Sequence, residues 1–126
     1  MHSVDVKPGR KDLNMQSYYD VADFAKFNGD GVGSYASDKW QNFLTYYGSV
    51  FQDGALSARE KALMALSVAV ALQCPYCIDA FSNSCLQKGC DGDQILEAFH
   101  VAAAIRSGAA LAHGVQVLDA IEDSEL

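Results

Sequence analysis

A chain of 126 residues, half of them hydrophobic and 20% charged, suffices for one compact domain with its own core and is too short to need two. The formal net charge of −7, with nine Lys and Arg that form no basic run, sets the surface against nucleic-acid phosphates and anionic lipid, so neither is expected as a partner. Met1 to Pro8 runs into charge rather than into an apolar block; no secretory leader is expected, and four cysteines in a reducing cytoplasm are expected as reactive or buried thiols rather than as a disulfide framework.

Helical signals recur along the chain and strand signals are nearly absent, which predicts a single all-α domain over 1–126. Residues 1–13 are polar and read as a flexible N-terminal segment. Tyr18, Tyr19, Ala22, Phe24, Ala25 and Phe27 carry the loose spacing of a short helix, which Asn28-Gly29-Asp30-Gly31-Val32-Gly33 ends in a loop. No Lys-Ser or Lys-Thr follows these glycines and no strand precedes them, so a phosphate cradle is not expected. Ser37 or Asp38 caps a second short helix, whose Trp40, Phe43, Leu44 and Tyr47 stand at i, i+3, i+4 and i+7 and read as core rather than as an aromatic cofactor box.

The third helix has the best-marked start. Ser57-Ala58-Arg59-Glu60 has the form of a capping box, in which hydroxyl and carboxylate each satisfy a free backbone N–H. From Ala62 to Leu72 the one polar residue is Ser67. The helix is thus apolar on nearly every face yet falls short of the roughly 20 residues that span a bilayer. Burial on all sides in so small a domain calls for a neighbouring subunit, and a homo-oligomer is expected.

Cys74-Pro75-Tyr76-Cys77 follows. Two thiols three residues apart can close a small disulfide ring and open it again, which makes them a redox pair. Zinc usually takes four ligands from two such pairs, and Cys85 and Cys90 do not form a second one, so no metal is expected. Pro75 breaks the preceding helix and suits the first position of a new one. Cys74 then stands at the N-cap and Cys77 in the first turn, near free N–H groups and the positive end of the dipole, where thiolates are favoured. The new helix carries Ile78, Ala80, Phe81, Cys85 and Leu86 and ends at Gly89. Cys85 reads as a buried small hydrophobe, and Cys90, in the Gly89–Gly92 turn, as exposed and the more reactive of the two. Either could also shuttle a disulfide outward or join a thiol cluster.

Asp91 or Asp93 starts the last long helix, with an apolar surface from Ile95 to Ile121. Gly108 and Gly114 either divide this run or let two helices approach closely.

The segment Leu56-Ser57-Ala58-Arg59-Glu60-Lys61, the apolar helix, Cys74-Pro75-Tyr76-Cys77, and Phe99-His100-Val101-Ala102-Ala103-Ala104-Ile105-Arg106-Ser107-Gly108 to His113-Gly114 together resemble the alkyl hydroperoxidase D-like branch of the carboxymuconolactone decarboxylase family, over about residues 40–120. The Cys-Pro-Tyr-Cys form with the His-Val-Ala-Ala-Ala-Ile-Arg helix is also similar to a peroxidase-like subgroup associated with arsenosugar biosynthesis. This resemblance implies an all-helical bundle assembling as dimers, trimers or hexamers, and a peroxidase cycle without a cofactor. In that cycle Cys77 is the peroxidatic thiol that attacks the hydroperoxide, Cys74 the resolving thiol, and an external dithiol resets the pair.

The chain departs from the family pattern twice. Phe81 stands where the branch has a histidine four residues after the second cysteine, and Ala62 stands where it has a glutamate about twelve before the first. His100 is the candidate replacement base, with Glu97, three residues before it, to orient it; a satisfied histidine and a solvated acid are the plainer readings. Glu60 is a weaker candidate for the proton relay, its capping role being the plainer one. Glu97-x-x-His100 also has the spacing of di-iron bundles, which need two such motifs, and one is present. His113 lies roughly 220° round a continuous helix from His100, away from any shared site.

The leading functional reading is a thiol-dependent peroxidase or disulfide oxidoreductase. A protein holding a soft metal or trivalent arsenical on its thiolates without turnover is the second. A glutaredoxin-like exchanger is the third, and its β-rich framework is missing from the pattern. Ring decarboxylation gives redox thiols no evident role.

Overall fold

The computed structural model describes residues 19–27 and 29–125, so the polar segment 1–13, Tyr18 and Asn28 lie outside the described residues. All regular structure among the described residues is helical, as the sequence pattern predicts. The chain divides into two compact units, Met1–Ala58 and Arg59–Leu126.

In the first unit, the Asp20 carboxylate accepts the Ala22 N–H at 2.9 Å and opens a 3-10 helix over Val21–Lys26. The loop after it is tight. A Cβ on Gly31 would lie 1.8 Å from the Lys26 carbonyl oxygen, and one on Gly33 would lie 2.5 Å from the Trp40 ring. These glycines therefore serve close approach of backbone to backbone and backbone to indole. Helix α1, Ser37–Val50, starts from Ala36, which holds a left-handed φ of 45° and gives no side-chain cap. Ser37 and Asp38 are helical residues rather than the cap, although Asp38 still places its charge in the first turn. The expected core face of α1 is instead a surface ladder of rings. Trp40–Phe43, Phe43–Tyr47 and Tyr47–Phe51 have centroids 5.6, 5.4 and 4.9 Å apart, and no residue of α1 is buried.

The second unit is built on α2 (Ala58–Leu72), α3 (Pro75–Gln87), α4 (Gly92–Ala112) and α5 (Gly114–Ser124). Its core is small: Ala62, Leu66, Cys85 and Cys90, flanked by Leu63, Val70, Ile78, Phe81, Ile95 and Ala98. Three hydrogen bonds tie α2 to α4 along their length. Arg59 Nη2 donates to Gln94 Oε1 at 2.8 Å, Ser67 Oγ donates to the Ala98 carbonyl at 2.7 Å, and Arg106 Nη1 donates to the Ala71 carbonyl. Because the partners advance together, α2 and α4 run in the same direction and α3 returns between them. Ser67, the single polar residue in the apolar run of α2, is thus satisfied by its neighbour's backbone.

Asp91 caps α4 in a full capping box with Gln94. Gly108 lies inside α4, whereas the chain breaks at His113 and resumes as α5 from Gly114. Leu72, Ile105 and Leu111 are 72%, 68% and 78% exposed in the single chain. By length and composition Gly92–Ser124 would also pass as a membrane span; the run breaks at His113, and Arg106 within it bonds to α2.

Candidate redox site

Helix α2 ends in a way that fixes Cys74. The Cys74 N–H donates to the Ala69 carbonyl at 3.1 Å and the Gln73 N–H to the Val70 carbonyl at 3.1 Å. This is the paired six-to-one and five-to-two bonding of a Schellman motif. Its left-handed position, which favours glycine, is held by Gln73 at φ 58°. Arg106 occupies another terminal carbonyl of α2, that of Ala71. Cys74 leaves this turn in extended conformation as the N-cap of α3, and its own carbonyl accepts the first helical bond from Ile78 at 2.9 Å. Pro75, at the first helical position, has no N–H to satisfy.

The first available donors of α3 are therefore those of Tyr76 and Cys77. The Cys77 N–H lies 3.4 Å from Cys74 Sγ, and the two sulfurs are free thiols in hydrogen-bond contact at 2.9 Å. The hydrogen bond with the Cys77 thiol and those from the Cys77 and Tyr76 N–H groups pull the Cys74 pKa below that of an ordinary thiol, outweighing desolvation. Cys77 moves the other way. Burial, its hydrogen bond with Cys74 and the charge of Cys74 push it up to about 11. The sequence reading favours thiolate at both positions; the structure separates them.

Phe81 stands one turn after Cys77, packed against the core cluster. Ala62 is itself a core residue, 2% exposed, so neither family relay position carries a polar group. His100 is exposed and its ring leans on Phe99, with centroids 5.2 Å apart; no hydrogen bond joins it to either thiol among the described residues. Glu97, also exposed, forms neither a hydrogen bond nor an ion pair among them. Glu60 lies exposed in the first turn of α2, where Asp53 Oδ1 additionally accepts the Ala58 N–H at 2.7 Å. His113 caps α4 and pairs through Nδ1 with Gln116, apart from the thiols as expected. His2 lies outside the described residues.

The second cysteine pair sits at the far end of α3. Gly89, at φ 83°, closes another Schellman turn, in which the Cys90 N–H donates to the Cys85 carbonyl at 3.0 Å. Cys85 and Cys90 occupy the two positions whose side chains meet in that motif. Cys90 is 4% exposed, so the expectation of an exposed, reactive turn cysteine is corrected: the turn folds its side chain onto Cys85 and into the core. Cys85 is fully buried, and burial together with its Cys90 neighbour raises its pKa. No group of three or more His, Cys, Asp or Glu among the described residues is arranged to hold a metal ion.

The structure thus defines an all-helical unit that presents a Cys-x-x-Cys at a helix start, and comparison gives its family. Residues 40–120 match the carboxymuconolactone decarboxylase family, to which the chain belongs. It is 42% identical over 81 residues to uncharacterized protein 4 in the cox locus of Paracoccus denitrificans, an alignment covering 64% of this chain and 73% of that protein. A crystal structure from Methanobacterium thermoautotrophicum superposes with a TM-score of 0.63 at 28% identity, covering 65% of this chain and 92% of the other. Another, from Thermotoga maritima, described as a "carboxymuconolactone decarboxylase family protein possibly involved in antioxidative response", gives 0.51 at 26% identity, covering 68% and 91%.

Proposed function

We propose that this protein is a thiol-dependent oxidoreductase that reduces hydroperoxides in the cytoplasm through the Cys74–Cys77 pair. The observation that carries this reading is the contact of two free thiols at the start of α3, one with its ionisation favoured and the other disfavoured. A lone activated thiol stops at sulfenic acid. A second thiol at 2.9 Å converts that product into a disulfide. The balance is one hydroperoxide and two thiols giving one disulfide, one alcohol and one water. An external dithiol then returns the pair to the reduced state. Family membership and the antioxidative description of the Thermotoga maritima neighbour support this chemistry.

The active form we propose is a homo-oligomer. The buried hydrophobic core of the described residues is limited to Ala62, Leu66, Ala69, Cys85, Cys90 and Ala102, while Val68, Leu72, Val101 and Ile105 stand more than half exposed. Apolar surface on this scale in a chain this size fits further copies of the same chain.

The test is hydroperoxide consumption with dithiothreitol as reductant, beside a Cys74→Ser/Cys77→Ser double variant. Turnover by the wild type that the double variant lacks supports the reading. Consumption no faster than that of a free thiol overturns it, and stoichiometric capture of a trivalent arsenical in the same preparation would replace it with the binding reading.

A further inference from the structure

We propose that Cys74 is the attacking nucleophile of the pair and Cys77 the resolving thiol, the reverse of the order that the family resemblance implies. This rests on the proposed redox function and assigns its first bond-forming step. Three features of the chain lead to it. First, Pro75 removes the N–H nearest the N-cap, and the Cys77 N–H of the first turn lies 3.4 Å from Cys74 Sγ, so the side-chain cap of α3 is made by this one sulfur. Second, the two sulfurs are in hydrogen-bond contact at 2.9 Å, and Cys74 is the one whose sulfur also faces a backbone N–H. Third, the residue that would draw a proton from Cys77 is absent: one turn on, Phe81 offers an aromatic ring packed on the core.

The order of steps follows. The Cys74 thiolate attacks the terminal oxygen of a hydroperoxide; the O–O bond breaks, Cys74 becomes a sulfenic acid, and the departing alkoxide takes a proton from water to leave as the alcohol. Burial is the largest of the effects that hold the proton on Cys77 and stays in place, whereas the other two, its hydrogen bond with Cys74 and the charge of Cys74, end when Cys74 has reacted. Cys77 then attacks the Cys74 sulfur, expelling hydroxide, which with the Cys77 proton makes water, and leaving the intrachain disulfide. A small disulfide R–S–S–R enters by the same route: Cys74 displaces one RS⁻, and Cys77 displaces the second.

The experiment is a single turnover of pre-reduced wild type, Cys74→Ser and Cys77→Ser with hydrogen peroxide and, separately, with oxidised dithiobis-nitrobenzoate, read by peptide mass spectrometry after dimedone or acid quench. Circular dichroism checks that each serine variant keeps its helices. The proposal expects sulfenic acid and the mixed disulfide to accumulate on Cys74 of Cys77→Ser at a rate near that of the wild type, and Cys77 of Cys74→Ser to react at least tenfold more slowly. Trapping on Cys77 at the wild-type rate, with Cys74 of the other variant slow, overturns the assignment while leaving the redox function standing. Failure of the wild type to form a Cys74–Cys77 disulfide with either oxidant overturns both.

Discussion

Helix α3 carries a cysteine pair at each end, and the two ends treat sulfur in opposite ways. At the N-terminus Cys74 and Cys77 are partly exposed, and the Cys77 N–H of the first turn caps onto the Cys74 sulfur. At the C-terminus Cys85 and Cys90 are buried, their backbones joined through a carbonyl acceptor, and the Cys85 proton is held more tightly than usual. The residue type and the helix are the same. What differs is which orphan backbone groups are present, donors at one end and acceptors at the other, and whether water reaches the sulfur. A helix N-terminus thus favours ionisation of Cys74 where a buried C-terminus makes Cys85 a packing residue.

The largest effect expected from breaking this contrast is catalytic. Serine at Cys74 or at Cys77 should lower steady-state hydroperoxide turnover about 100-fold or more, each tenfold being about 1.4 kcal/mol of barrier, while serine at Cys90 changes it less than twofold. Next is stability. Cys85→Ser puts a hydroxyl in the apolar core and should cost about 1–3 kcal/mol in urea unfolding, with Cys85→Ala costing less. Gln73→Gly should raise stability by ~1 kcal/mol, because glycine holds the left-handed turn without a Cβ penalty, and should leave the thiol chemistry unchanged. Alkaline titration sharpens the comparison further. The Cys85 thiol keeps its proton to higher pH folded than unfolded, so its contribution is whole below the free-thiol value of about 8.5 and is lost as pH rises through the higher folded value. The urea midpoint should therefore fall above that pH in the wild type and fall less in Cys85→Ala. The smallest effect is expected at His100→Gln, less than a twofold change in peroxide kinetics, because its imidazole touches Phe99 and neither thiol.

Much of the second unit is legible in the sequence because its boundaries are punctuated. Pro75 and Gly89 bracket α3, and Asp91 with Gln94 opens α4. The less legible parts depend on backbone geometry that residue types do not announce. Gln73 sits in a glycine conformation, so the Schellman turn that sets Cys74 carries no compositional mark. Cys90 looks exposed because turn residues usually are; the available signal was its spacing of five from Cys85 across Gly89, which is the spacing of the side chains that meet in that motif. Periodicity on α1 correctly groups Trp40, Phe43 and Tyr47 on one face, but period alone does not say what covers a face. The division of labour between Cys74 and Cys77 was likewise hidden. Both are near the dipole, and which sulfur faces the Cys77 N–H is a matter of three-dimensional placement.

The measurement closest to the central claim is the order in which the four thiols of the folded, reduced protein react with limiting iodoacetamide at neutral pH, followed by peptide mass spectrometry. The account predicts that Cys74 is alkylated first and that Cys85 and Cys90 are labelled only once the protein is unfolded in urea. Labelling of Cys77 or Cys90 ahead of Cys74 would contradict it.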